Sequence, residues 1–179
     1  MNAFGEFRDA SVGWLDLIAA RAGAAEKFNL SRAGLINATG CYFVLVLLTL
    51  VVQVAAGGFP GWLMLVLGIL INTLPLLALW AVIWATAKML TVSAIGLMVP
   101  TTYAMGFILL IGLPLSLIAG EMFGAALLGA LGFMFYRAAR AMGKLNVSLS
   151  LAFAIVSILA LVAMPLGLYM LTTQGRGIG

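Results

Sequence analysis

The chain has 179 residues, 65% of them hydrophobic and only 8% charged, with a net charge of +4, no histidine and one cysteine. A water-soluble domain of this length needs charges over its whole surface, so the composition points to an integral membrane protein. The missing histidine and the lone Cys41 exclude the usual zinc and haem ligands, an internal disulfide and a histidine-based nucleophile.

Residues 1–30 carry Glu6, Asp9, Asp16 and Glu26, with no apolar stretch behind a basic start, so no cleavable signal is expected. Phe4, Phe7, Trp14 and Ile18 recur at helical spacing, with Leu15 beside them. They predict an amphipathic helix in the plane of the membrane interface, rings toward lipid. Glu6, Asp9, Gly13 and Asp16 fall on the opposite face, toward water. An acidic face is unusual for a helix seeking anionic lipid, and docking against basic loops is the alternative.

Five apolar runs follow, at residues 33–55, 61–87, 94–119, 122–136 and 147–171. A hydrocarbon core of about 30 Å takes about 20 helical residues. Every run but the fourth meets that length, and the fourth is short before Arg137, whose side chain can snorkel. The expected fold is all-α: a polytopic transmembrane bundle of five spans over residues 31–171, after an interfacial helix at 1–30 and before a short tail at 172–179. Four spans plus one shallow segment is the alternative. Gly57-Gly58-Phe59-Pro60-Gly61 separates the first two runs, and Ala119-Gly120-Glu121 tightly links the third and fourth. Asn146 is placed to cap the last helix.

Arg8, Arg21, Lys27, Arg32, Lys88, Arg137, Arg140 and Lys144 fall on one side of such a bundle, and Arg176 alone on the other. Positive loops stay cytoplasmic. The expectation is an N-terminus inside, a C-terminus outside and an odd number of spans, in a bacterial inner membrane. Because the cations sit at the ends of apolar runs rather than in a soluble basic domain, nucleic acid is not an expected partner.

No Asp, Glu, Lys, Arg or His lies within the cores of the runs. Proton relays and charged ion sites therefore lack their usual groups, as does metal or serine hydrolysis. No enzyme activity and no cofactor are expected. The remaining polarity is uncharged. Asn72 and Thr73 stand with Pro75 in the second run, and Tyr103 and Pro114 in the third. Pro75 cannot donate to the carbonyl of Ile71, which needs another partner in lipid. These residues predict helix kinks that pack on neighbours; a polar ligand or ion between them is the alternative. Asn37-Ala38-Thr39 fits the glycosylation pattern but begins a span on the cytoplasmic side, where it is inert.

Ala125, Gly129 and Gly132 line one face of the fourth run and predict close helix packing, within the chain or with another. Arg137, Arg140 and Lys144 form a cytoplasmic basic stripe for lipid headgroups. In a sharper reading this stripe pairs with Glu6, Asp9 and Asp16.

Pro100-Thr-Thr-Tyr103 opens the third run, Pro114 comes later in it, and a basic turn from Arg137 to Lys144 precedes the last helix. With an inside N-terminal segment and five close-set spans, this layout resembles the Yip family of five-span membrane proteins in its short bacterial form. The Asp-Leu-Tyr-Gly-Pro motif of the eukaryotic members is absent, and the resemblance implies no catalytic or binding residues. The functional expectation is a non-enzymatic accessory, assembly or membrane-organising component acting through helix packing. Its partners would be the bilayer and another membrane protein or further copies of itself. The rivals are a small transporter or channel subunit kinked at Pro75 and Pro114, and a membrane-trafficking protein.

Overall fold

A chain in hydrocarbon must satisfy its own backbone, and an apolar run does so as a helix. The computed structural model describes residues 3–119 and 122–174, and it is all-α. Six α-helices follow one another: α1 (Ala3–Ile18), α2 (Arg32–Gly57), α3 (Trp62–Leu90), α4 (Ala94–Ala119), α5 (Met122–Ala141) and α6 (Val147–Gln174), with a 3-10 turn at Ala24–Lys27 before α2.

Among the described residues, four stretches are long and apolar enough to cross a membrane: Arg32–Gly57, Trp62–Leu90, Ala94–Gly112 and Val147–Gly167. The fourth apolar run, α5, is not among them, and Arg137 and Arg140 lie in its last two turns. Length and composition thus support four spans where five were expected. The Gly120-Glu121 link and the end of the tail lie outside the described residues.

α4 is the central helix. Of its apolar window 56% is buried, against at most 28% for the other three. It packs on α1, α2, α3 and α5, while α6 bridges α3 and α5. Leu97, Val99, Thr101 and Thr102 are wholly enclosed, with Leu79 and Ile83 of α3 and Phe135 of α5.

Local signals explain the helix limits. Ser31 caps α2, its Oγ accepting from the Gly34 amide at 3.2 Å. Asn146 caps α6 as expected, its Oδ1 accepting from the Leu149 amide at 2.8 Å. Gly58 and Gly61 have φ of 83° and 92°, in the left-handed region that a side chain resists, and they turn the chain from α2 into α3. Each of Pro75, Pro100, Pro114 and Pro165 lies inside a helix that continues through it.

The N-terminal helix departs from expectation. Its inward residues are Glu6, Ala10, Gly13, Trp14, Asp16 and Leu17, so of the residues expected toward lipid Trp14 turns inward with the acids. Phe4, Leu15 and Ile18 are exposed, whereas Glu6 is 6% and Asp16 8% accessible. The acids were expected in water, but they turn inward because each finds polar partners in the segment leading to α2. α1 therefore docks on α2, α4 and α5 and on the 3-10 turn.

Candidate functional site: a polar clasp beneath the N-terminal helix

The buried polar groups near α1 form a clasp. Glu6 holds its centre. Its Oε1 accepts from the Asn29 amide at 3.0 Å, and its Oε2 from the Asn37 amide at 2.9 Å. Ser31 Oγ donates to Asn29 Oδ1 at 2.7 Å, which fixes that amide's orientation. The chain can turn this tightly because residue 34 is glycine. A Cβ there would stand 1.8 Å from the Asn29 carbonyl oxygen.

A second anchor lies nearly three turns along α1. Asp16 accepts from both Lys27 and Arg21. The hydrogen bond from Lys27, then that from Arg21, holds its carboxyl below the ordinary value of 3.8. Gly13 lets Phe28 lie against α1, and Phe28 meets Trp14 edge-on at 5.9 Å between ring centroids. An open cleft of about 750 Å³ remains between α1 and the 3-10 turn, lined by both charge signs: Arg8, Asp9, Glu26 and Lys27.

The third anchor joins α1 to α4 and α5. The buried Trp14 indole donates to the Pro100 carbonyl at 3.1 Å. Arg137 Nε donates to the Leu17 carbonyl at 2.8 Å, a cation at the negative end of α1. The basic stripe therefore does meet α1, but by one residue and through backbone. Arg140 donates instead to the Leu145 carbonyl at 2.8 Å. Lys144 sits at φ 50° in the turn after α5. The pairing of Arg140 and Lys144 with Glu6, Asp9 and Asp16 is thus corrected: the acids already have nearer partners, Asp9 taking Arg8.

Pro100-Thr101-Thr102-Tyr103 reaches α1, α3 and its own helix. The Pro100 carbonyl receives α1, and Thr101 Oγ1 donates back to the Leu97 carbonyl at 2.7 Å. Thr102 Oγ1 accepts from the Trp80 indole of α3 at 3.1 Å. Tyr103 stacks on Phe107 and tilts against Phe7 of α1, both at 6.4 Å. Its buried hydroxyl has no hydrogen-bond partner among the described residues.

The other singled-out residues are not brought into one site. Asn72 turns its amide onto its own helix, donating to Gly68 at 2.8 Å, and Thr73 donates to Ile69 at 2.7 Å. The Tyr42 hydroxyl of α2 donates to the Asn72 carbonyl, beside the backbone group that Pro75 leaves unpaired. No hydrogen bond joins Asn72 to Tyr103 among the described residues, and Pro114 is exposed. Of the small-residue face, a Cβ on Gly132 would meet Ile158 of α6 at 3.4 Å, whereas Gly129 would meet nothing within 4 Å and Ala125 is exposed. The face expected to pack along its length touches α6 at one end, because α5 and α6 leave a groove between them.

Sequence reading missed Asn29 and Tyr42, and it gave Asn37 and Trp14 other roles. The signal for the clasp was present: residues 6, 10, 13, 14 and 17 recur at helical spacing, and small Ala10 and Gly13 among them mark close approach to another element. No cluster of three or more His, Cys, Asp or Glu suited to a metal occurs among the described residues. Comparison with known proteins found no matching family model, no matching curated protein and no matching solved structure.

Proposed function

We propose that this chain is a non-enzymatic integral membrane protein of a bacterial inner membrane, an accessory or membrane-organising component that acts through helix packing. One observation carries the reading. The polar side chains Asn72, Thr73 and Thr101 at the proline turns each donate to a carbonyl of their own helix, so they support the helix backbone there rather than a solute. Meanwhile α2 and α3 leave much of their apolar surface outward, including Trp62, Leu63 and Trp84. Surfaces of that kind meet lipid or another helix.

The proposal includes α5 as a fifth crossing. Its apolar stretch up to Tyr136 would rise about 22 Å, which crosses the hydrocarbon core if Arg137 snorkels or the bilayer thins, and it lies along both α4 and α6. With five spans the Lys and Arg distribution places the N-terminus and the clasp in the cytoplasm and the C-terminus outside. The Yip-family likeness belongs to the same proposal and rests on the sequence pattern alone.

Photo-crosslinking residues placed at Leu63, Trp84 and Val66, one at a time, test the packing role in living cells. The expected result is one stoichiometric protein adduct at neighbouring positions on α3. Lipid adducts alone at every position contradict an accessory role.

A further inference from the structure

α1 roofs a second feature that neither the clasp nor the packing proposal uses. A cleft of about 620 Å³ opens between α1, α4 and α5. Phe7, Trp14 and Ile18 form its roof, Phe107 and Ile111 one wall, and Ala130 the other. Among the described residues its lining is apolar apart from Ser11, whose hydroxyl donates to the Phe7 carbonyl of its own helix. On α5 the wall runs from Phe123 to Met134, roughly 16 Å at the helical rise. One leaflet of hydrocarbon is about 15 Å deep, half of the bilayer core.

Charge marks the inner end. Arg137 follows Phe133 and Met134 by one turn on the same face of α5. Its Nε is used on Leu17, at the end of α1 beside Ile18, but both Nη groups lack a partner among the described residues. No carboxylate pairs with it there. The exposed Arg21 stands three residues past Ile18, shared with Asp16. An apolar slot one leaflet long, ending at a guanidinium with open donors, is complementary to one amphiphile.

We propose that the α1–α4–α5 cleft binds an anionic phospholipid of the inner leaflet. One acyl chain lies in the cleft and the phosphodiester is held by Arg137. A guanidinium fork suits a phosphate oxygen pair. The α1 helix acts as the collar between head and chain. This rests on the membrane reading, because a chain outside a bilayer would have no such lipid to take.

Native mass spectrometry tests it on the full chain, released from membranes in mild detergent. The probes are phosphatidylglycerol and phosphatidylcholine of identical acyl chains, mixed equally. The expected result is retained phosphatidylglycerol over phosphatidylcholine by about fivefold, the effect of one cation at an anionic surface. Arg137→Gln should erase that preference and Arg137→Lys should keep part of it. Ala130 and Ala126 are exposed in the cleft, so Ala130→Trp or Ala126→Trp fills it without disturbing the core, and either should abolish retention of both lipids. Leu128→Trp, on the α6 side of α5, should leave retention unchanged.

Equal retention of the two lipids, retention that survives both tryptophans, or a preference that survives Arg137→Gln overturns the proposal. So does a dimer that the same tryptophans dissolve while no lipid is carried, since a second copy would then fill the cleft. Release of the chain from membranes by alkaline carbonate without detergent would overturn the membrane reading itself, a separate result read before any lipid is weighed.

Discussion

Glu6 is buried because two amides reach it, and each amide is replaceable. Asn37→Leu should leave Oε2 without its donor, at a cost of roughly 1–3 kcal/mol of stability, read by thermal unfolding in detergent. No change would mean that the clasp holds nothing. Gly34→Ala forces a methyl onto the Asn29 carbonyl and should open the same turn, a cost of roughly 1–3 kcal/mol or more. Asp16 adds a pH dependence. Its carboxyl is held low by Lys27 and Arg21, so the folded form binds fewer protons than the unfolded one. The stabilisation is full above the ordinary carboxyl value of 3.8 and is lost as pH falls through the lower folded value. Proteolysis between α1 and α2 should therefore quicken only below about pH 4, and an Asp16→Asn variant should show no such acid step.

At the scale of the element, α1 depends on two carbonyl contacts that no hydropathy plot contains. Trp14→Ala removes both the buried ring and the donor to Pro100, and should cost roughly 3–5 kcal/mol, seen as loss of amide protection along α1. Arg137→Gln should raise exchange at the last turn of α1, whereas Arg140→Gln should not, because Arg140 serves the Leu145 turn. Equal effects would contradict the geometry. These contrasts also show what was legible beforehand. The helical runs, the Gly58–Gly61 turn and the Asn146 cap follow from local chemistry and could be read residue by residue. The inward face of α1 could not be read from hydrophobicity, because Glu6 is buried by partners 23 and 31 residues away, and aromatic Phe4 stays outside. The prolines lie inside helices that continue through them, and Tyr42, which donates to the Asn72 carbonyl near Pro75, comes from another helix. The Asn72 amide bonds its own helix, so Asn72→Leu should change stability by less than about 1 kcal/mol, while Tyr42→Phe should cost roughly that much. The reverse order would contradict the partners seen for these two side chains.

In the whole molecule, α4 is the axis on which the bundle and α1 converge, and its Pro100–Tyr103 turn is where they meet. α2 and α3 pack against it and α6 against α3 and α5, each with an apolar outer face, as expected where hydrocarbon replaces water as solvent. The open matter is α5, the helix that carries its own cations and turns the parity of the chain from even to odd. Single cysteines introduced ahead of α1 and in the tail, in a Cys41→Ser background, can be probed from each side of sealed membrane vesicles with an impermeant thiol reagent. The account predicts labelling of the N-terminal cysteine from the cytoplasmic face only and of the C-terminal cysteine from the opposite face only. Both cysteines labelled from one face would contradict it.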